Sequence, residues 1–372
     1  MKFLNKITYR IFLVILTINL ISCQSNKDSK MEYKIIDFNK IQGEKLVDDH
    51  FNALNRYKFN QIINYNKDIF FLLGDDSGEN SDNYNAIVYS TKNFGDSFHK
   101  TILGKGTVSE GYFTGKNLFV ILVNREFIDG ANQVSSSLFM SKDFGETWER
   151  INNFNNESVI ESLNFYNNRI GIAHFYNNIN DTEEYRYTVD GGETWTKFEI
   201  DDANFDSITN CLFKTNTVIW FISDNNLISY NLITKELKIE KKLPVPKGMK
   251  SFAIYKDEKN GNPITFFGYD DNDEKGEIYY ILEDKHVTIE NGFGNVYGNF
   301  MYKFIDNKPY SSYMWSEDLG KTWQKEKMED FFPDPAPVGY AEDGYIYMIV
   351  TMFKGTQEER GARLVIGHPV NK

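Results

Sequence analysis

Short runs of apolar and polar positions alternate along most of this chain, and no stretch holds an apolar stripe at helical spacing. Ser137-Leu138-Phe139-Met140 and Tyr185-Arg186-Tyr187 show the two-residue period of half-buried strands, and Trp195-Thr196-Lys197-Phe198-Glu199-Ile200 continues in the same way. Such runs are divided by clusters of Gly, Asn, Asp, Ser and Thr, the residues of tight turns. The pattern predicts an all-β chain built from hairpins.

One kind of turn is written four times. Its copies are Thr91-Lys92-Asn93-Phe94-Gly95-Asp96-Ser97-Phe98, Ser141-Lys142-Asp143-Phe144-Gly145-Glu146-Thr147-Trp148, Thr188-Val189-Asp190-Gly191-Gly192-Glu193-Thr194-Trp195 and Ser316-Glu317-Asp318-Leu319-Gly320-Lys321-Thr322-Trp323. The third residue, Asp or Asn, offers an oxygen to backbone N–H groups further along. The glycine supplies a positive φ, and the first hydroxyl bonds locally. The closing Trp or Phe is a large rigid wedge suited to a seam between sheets. A phrase repeating near 50 residues marks a repeat architecture.

These octets resemble the Asp-box, or BNR repeat, of sialidases, sortilin-type receptors and photosystem II assembly-factor-like proteins. The resemblance implies a β-propeller of four-stranded antiparallel blades, each octet joining the third strand to the fourth. It extends over residues 31–372, with close matching confined to the octets. The gap between Gly192 and Gly320 is long enough for three units. Two degenerate hairpins fill it: Leu227–Tyr230 turning at Thr234-Lys235, and Ile278–Leu282 turning at Glu283-Asp284-Lys285. Beyond Trp323 two strands remain, Tyr345–Val350 and Ala362–Ile366, without a fourth. The unpartnered segment Tyr33–Phe38 is expected to supply it and close a ring of seven blades, with six or eight left open.

Residues 1–22 read as an export signal: Lys2, Lys6 and Arg10 precede an apolar run, residues 11–21, too short for a stable membrane span. Leu20-Ile21-Ser22-Cys23 resembles the bacterial lipobox. The resemblance implies cleavage before Cys23, acylation of Cys23, a tether over 23–30 and anchoring in the cell envelope. Gln24 after the cysteine favours the outer membrane on the same basis. Lipidation leaves Cys211 without a disulfide partner, and it is expected to act as a small buried hydrophobe.

Candidate chemistry is sparse. The sialidase resemblance would require three arginines clamping a carboxylate. After the signal only Arg56, Arg125, Arg150, Arg169, Arg186, Arg360 and Arg363 remain, with none between 187 and 359. Neither a catalytic nor a cofactor set emerges. The five histidines lack metal-ligand spacing, and there is no nucleic-acid patch. Asp270–Glu277 resembles the start of a calcium loop but lacks the distal Glu and reads as a solvated acidic loop, so no metal is expected.

Net charge is −12, and removing Lys2, Lys6 and Arg10 leaves −15. The loops between second and third strands should lie opposite the octets, at 74–85, 125–134, 176–184, 223–226, 268–276, 306–309 and 353–361. Together they carry −12. Asp75, Asp76, Glu79, Asp82, Asp181, Glu183, Glu184, Asp270, Asp271 and Asp273 are the candidate binding residues there, facing a protein or glycan partner, to which a basic character would be suited. The reading is therefore a lipid-anchored, non-enzymatic binding module, of the assembly-factor or toxin-immunity type; a divergent sialidase-like glycoside hydrolase is the alternative.

Overall fold

The computed structural model describes residues 31–38, 57–77, 84–128, 131–155, 157–198, 211–257, 262–269, 272–290, 295–297, 300–307, 310–318, 321–327, 331–332, 338–352 and 362–370. They form seven antiparallel sheets arranged as blades. In chain order the blades span 57–105, 107–154, 159–198, 212–242, 250–290, 295–327 and 331–369. Within the first six blades the strands follow one another in simple up-and-down order. A single 3-10 turn, Glu342–Gly344, is the only helical element among the described residues.

The ring closes as the sequence predicts. Met31–Asp37 lies antiparallel to Ala362–Pro369, from Met31↔Pro369 to Asp37↔Arg363. It forms the outer strand of blade seven, and the Arg363 guanidinium meets the Asp37 carboxylate at 3.3 Å. The inner position of that blade is shared by Phe331–Phe332 and Val338–Tyr340, both paired with Ile346–Met352.

Seven buried clusters occupy the seven seams between blades, so the core is a ring rather than one centre. Phe71, Leu73 and Val88 of blade one pack on Val108, Val120 and Leu122 of blade two. Ile36, Leu364 and Ile366 of blade seven meet Phe59, Leu72 and Tyr89 of blade one across the closure. Alternation explains this arrangement: each blade offers one apolar face to each neighbour.

Hairpins opposite the octets are tighter than their composition suggests. The expected loop 125–134 is mostly strand, since Leu118–Ile128 and Ala131–Ser141 pair to Ile128↔Ala131. The expected loop 268–276 shrinks likewise, because Asn272–Tyr280 resumes the ladder almost at once. Polar residues there belong to paired strands rather than to loops.

Candidate functional site

The four octets do join third strands to fourth. Eight residues separate the last pair before the turn from the first after it: 91–98 between Ser90 and His99, 141–148 between Met140 and Glu149, and 188–195 between Tyr187 and Thr196. In blade six 316–323 lie between Trp315 and Gln324, though Gly320 is outside the described residues. In blade two, Asp143 accepts the Thr147 N–H at 2.9 Å and the Thr147 hydroxyl at 2.5 Å, while Ser141 donates to it at 2.9 Å and accepts the Gly145 N–H at 2.8 Å. Asp190 repeats this with Thr194 and Thr188, and Asp318 with Thr322 and Ser316. Asn93 does so with an amide, accepting the Ser97 N–H at 3.0 Å, and Thr91 accepts the Gly95 N–H at 3.0 Å.

The octets also bind each blade to the one before it. Trp195 packs against the seam of blades two and three, Trp148 against that of one and two, Phe98 against that of seven and one, and Trp323 against that of five and six. Gly192 has φ 95°, and a Cβ there would lie 2.5 Å from Leu138 Cδ2 of blade two, so only glycine fits. Asn152 of blade two donates to the Gly192 and Glu193 carbonyls at 3.2 and 3.0 Å. The octets are thus structural staples with their polar groups already committed.

On the opposite face, the acidic residues divide. Asp75 and Asp76 end the strand Phe70–Asp76 and do not lie in a loop. Asp76 is buried and paired with Lys100 at 2.6 Å. Asp75 accepts the Thr107 hydroxyl at 2.9 Å, and burial raises its pKa. Neither is a free docking charge, because the end of this blade needs them to satisfy its neighbours. Asp181 sits at the turn after Asn177 with φ 53° and takes the Tyr176 hydroxyl. Glu183 and Glu184 begin the strand Thr182–Thr188; Glu184 pairs with Arg186, and Glu183 lies 3.4 Å from His174 Nε2. Glu79, Asp82, Asp270 and Asp271 lie outside the described residues, as does Cys23, and Asp273 falls in the strand Asn272–Tyr280.

Two further features are not legible in the sequence. One is a ribbon on this face. Blade two's central hairpin outruns its neighbours: Asn124–Ile128 and Ala131–Ser135 pair only with each other in the ladder, beyond Val123↔Thr107 and Ser136↔Phe154. Five residues per strand project about 17 Å. Phe127, near its tip, is 74% exposed. A groove of about 610 Å³ beside it is lined by Lys58, Asp75, Tyr84 and Arg125, among others.

The other feature is the axial channel. The first strand of each blade faces the axis with a free edge, whose N–H groups need partners. Four of these strands carry a bulge at the same level, after Phe59, Val108, Ile160 and Ser251. In blades one and two the residue beyond the bulge reaches the next blade. Gln61 accepts the Gly111 N–H at 2.7 Å, and Glu110 accepts the Leu163 N–H. Around them lies a cavity of about 240 Å³, walled also by Tyr112, His174, Tyr185, Cys211, Tyr255 and Lys256. Desolvation pushes the Glu110 carboxyl up to about 7, against the lowering effect of the Leu163 N–H. Burial likewise raises Cys211 to about 12, so this thiol is the inert hydrophobe expected of it.

Glu110 is the only carboxylate among the cavity's described lining residues, and no arginine is among them. Arg186 and Arg363 are held by Glu184 and Asp37, and Arg125 lines the groove. Glycoside hydrolysis ordinarily uses two carboxyl groups across the scissile bond, and the described cavity presents one. No group of three or more His, Cys, Asp or Glu side chains is poised for a metal among the described residues, and no described helix is long and apolar enough to cross a membrane.

The fold defines the class: a seven-bladed β-propeller. Neither a protein-family model nor a curated protein matches the chain. Among solved structures, it is similar to the β-propeller domain of the Trilobed protease from Pyrococcus furiosus, described as having an open velcro topology. Identity is 11%, TM-score 0.51, covering 85% of this chain and 97% of that one. It is also similar to Pyrococcus horikoshii acylaminoacyl peptidase, at 12% identity and TM-score 0.55, covering 87% of this chain and 54% of that one. This chain thus spans about half the length of that peptidase. At such identities the shared property is the fold. Here the velcro is closed by Met31–Asp37.

Proposed function

We propose that this propeller is a lipid-anchored, extracytoplasmic binding module that docks a protein partner on the face opposite the octets. The observation that carries the reading is the projecting ribbon of blade two. A two-stranded ribbon beyond its sheet has little packing of its own, and the outer edge of Asn124–Ile128 can accept an added strand. Phe127 places an exposed aromatic near its tip, as docking anchors require. Ile179, 59% exposed at the corresponding turn of blade three, extends the apolar contact. Asp181, Glu183 and the uncompensated charge of the chain would steer a basic partner to this side.

Anchoring rests on Cys23 and the lipobox-like Leu20-Ile21-Ser22-Cys23. On this reading the protein belongs to the bacterial cell envelope, at the outer membrane, held by acyl chains.

The test is capture of partners from envelope extracts by the protein, comparing wild type with Phe127→Ser and Asp181→Asn. A specific partner should lose about tenfold or more in affinity with Phe127→Ser, the scale of a docking anchor, and less with Asp181→Asn. Partners retained equally by both variants would refute the docking face. Cys23→Ala should shift the protein from membrane to soluble fractions and remove acyl mass from the N-terminal peptide. Unchanged fractionation would refute the anchor.

A further inference from the structure

We infer that the axial cavity is a second binding site, one that takes an organic cation, an ammonium or guanidinium group, against the Glu110 carboxylate. The inference is independent of the docking face, which lies at the end of the blades rather than on the axis.

The protein contains its own control for Glu110. Gln61 and Glu110 occupy the same place in consecutive inner strands, each directly beyond a bulge and each accepting one N–H from the next blade. Gln61 does this with a neutral amide. If capping that N–H were the whole task, glutamine would serve in blade two as it does in blade one, without the cost of desolvating a charge. Glu110 instead sets an ionisable carboxyl in the channel wall with no cationic partner among the described residues. A carboxyl so placed gains most from a ligand that brings both a positive charge and N–H donors.

The rest of the wall suits such a ligand. Tyr112, Tyr185 and Tyr255 supply aromatic rings, which attract cations over their faces. Asn164 turns its Nδ2 to the Cys211 carbonyl at 2.8 Å, leaving its oxygen as an acceptor. His174, 8% exposed, stands between the Glu161 carboxylate, 3.5 Å from its Nδ1, and the Glu183 carboxylate, 3.4 Å from its Nε2, so negative charge gathers behind this wall as well. Lys256 is the one cation among the described wall residues and opposes a second positive charge in the cavity.

Binding of a cation requires ionised Glu110, so a protonated site must first release its proton to solvent. With the carboxyl at about 7, affinity should be nearly full at pH 8 and about tenfold weaker at pH 6. The other titratable groups on the wall are Tyr112, His174, Tyr185, Cys211, Tyr255 and Lys256. A comparison of variants at constant pH 8 therefore decides the matter, not the pH profile alone.

The experiment is saturation-transfer NMR on the protein with n-butylammonium, n-butylguanidinium, n-butanol and n-butyrate. The two cations should bind at pH 8, and the alcohol and the carboxylate should bind about tenfold or more weakly, the discrimination expected of a charge-assisted contact. E110Q, which keeps the N–H acceptor as Gln61 does, should lose about tenfold or more in cation affinity at pH 8 without lowering the thermal midpoint there. K256M should move affinity the other way and tighten it, and it keeps the question decidable if E110Q folds poorly. Equal binding of butanol and butylammonium, wild-type cation affinity in E110Q, weaker cation binding in K256M, or no cation binding at pH 8 would each overturn the site.

Discussion

Blades one to three and blades four and five solve the same turn differently, and the difference shows what the octet is for. In the first group eight residues bridge the third and fourth strands, held by a buried hydroxyl, a carboxyl or amide cap, and an aromatic wedge. In blade four only 231–236 lie between Tyr230 and Leu237, and in blade five only 281–284 between Tyr280 and Lys285. The shorter turns lose the wedge, and blade four keeps only a cap. Asn231 Oδ1 accepts the Ile233 and Thr234 N–H groups at 2.9 and 3.1 Å, and Lys235 takes the positive φ. Blade five is instead stitched by Lys241 of blade four, whose ammonium reaches Asp284 at 3.0 Å and the Tyr279 hydroxyl at 2.5 Å. Turning the chain therefore needs few residues. The octet's additional length delivers an aromatic ring and a glycine to the preceding blade.

The largest expected effect separates the two kinds of turn by their wedges. Trp195 meets the rings of Phe165 and Phe175 at 6.5 and 5.5 Å and donates its indole N–H to the Gly192 carbonyl at 3.0 Å. Trp195→Ala should destabilise the protein by about 3 kcal/mol. Leu237, where blade four resumes its ladder, is 36% exposed, and Leu237→Ala should cost about 0.5 kcal/mol. Urea unfolding of both variants measures the pair; equal losses would mean that the wedge is not what the octet adds.

The caps give a smaller contrast. Asp143→Ala leaves the Thr147 and Glu146 N–H groups without their acceptor and should cost about 1–2 kcal/mol. Asp143→Asn retains the acceptor, as Asn93 does in blade one, and should cost well under about 1 kcal/mol. Urea midpoints of the two variants measure the contrast. An Asn variant as damaging as the Ala variant would show that charge, rather than geometry, makes the cap.

This division also explains what the chain disclosed in its letters. Octets are legible because their hydrogen bonds run between residues two to four apart, so the pattern survives in sequence. Ring closure was legible because Tyr33–Phe38 had no partner of its own and the last blade lacked a fourth strand. The axial site was not, because Gln61, Glu110 and Ser162 meet only through the repeat. They stand about one period apart, as Gly95 and Gly145 do, and aligning the chain on its glycines would have placed them in one column. A second turn went unread for the opposite reason. Asn66, Asn167 and Thr215 cap the hairpins between first and second strands, but their spacing varies and no aromatic follows. Acidic composition misled at Asp75 and Asp76, since a charged pair at a strand end reads as a loop until Lys100 and Thr107 are seen beside it.

The smallest effect sets the two classes of carboxyl against each other in pH. In Asp143 burial raises the pKa, but bonds from Thr147, Ser141 and Glu146 outweigh it and hold the carboxyl at about 2. In blade six the Thr322 N–H and hydroxyl, with the Ser316 hydroxyl, hold Asp318 at about 2 in the same way. A carboxyl lowered on folding contributes stability that is complete above the unfolded range near 4 and is lost as pH falls toward 2. Glu110 is raised by desolvation to about 7, so it acts in the reverse sense: its cost is absent below the unfolded range and grows as pH rises toward 7. Replacing Asp143 and Asp318 together by Asn should flatten the acid limb of the unfolding midpoint between about pH 4 and 2, leaving the neutral range unchanged. E110Q should flatten the decline between about pH 4.5 and 7 and leave the acid limb alone. Because the octet carboxyls are exposed, solvent screening keeps their share of the shift small. A double Asn variant that altered the neutral limb, or an E110Q variant that altered only the acid one, would show that the two classes had been assigned to the wrong places in the ring.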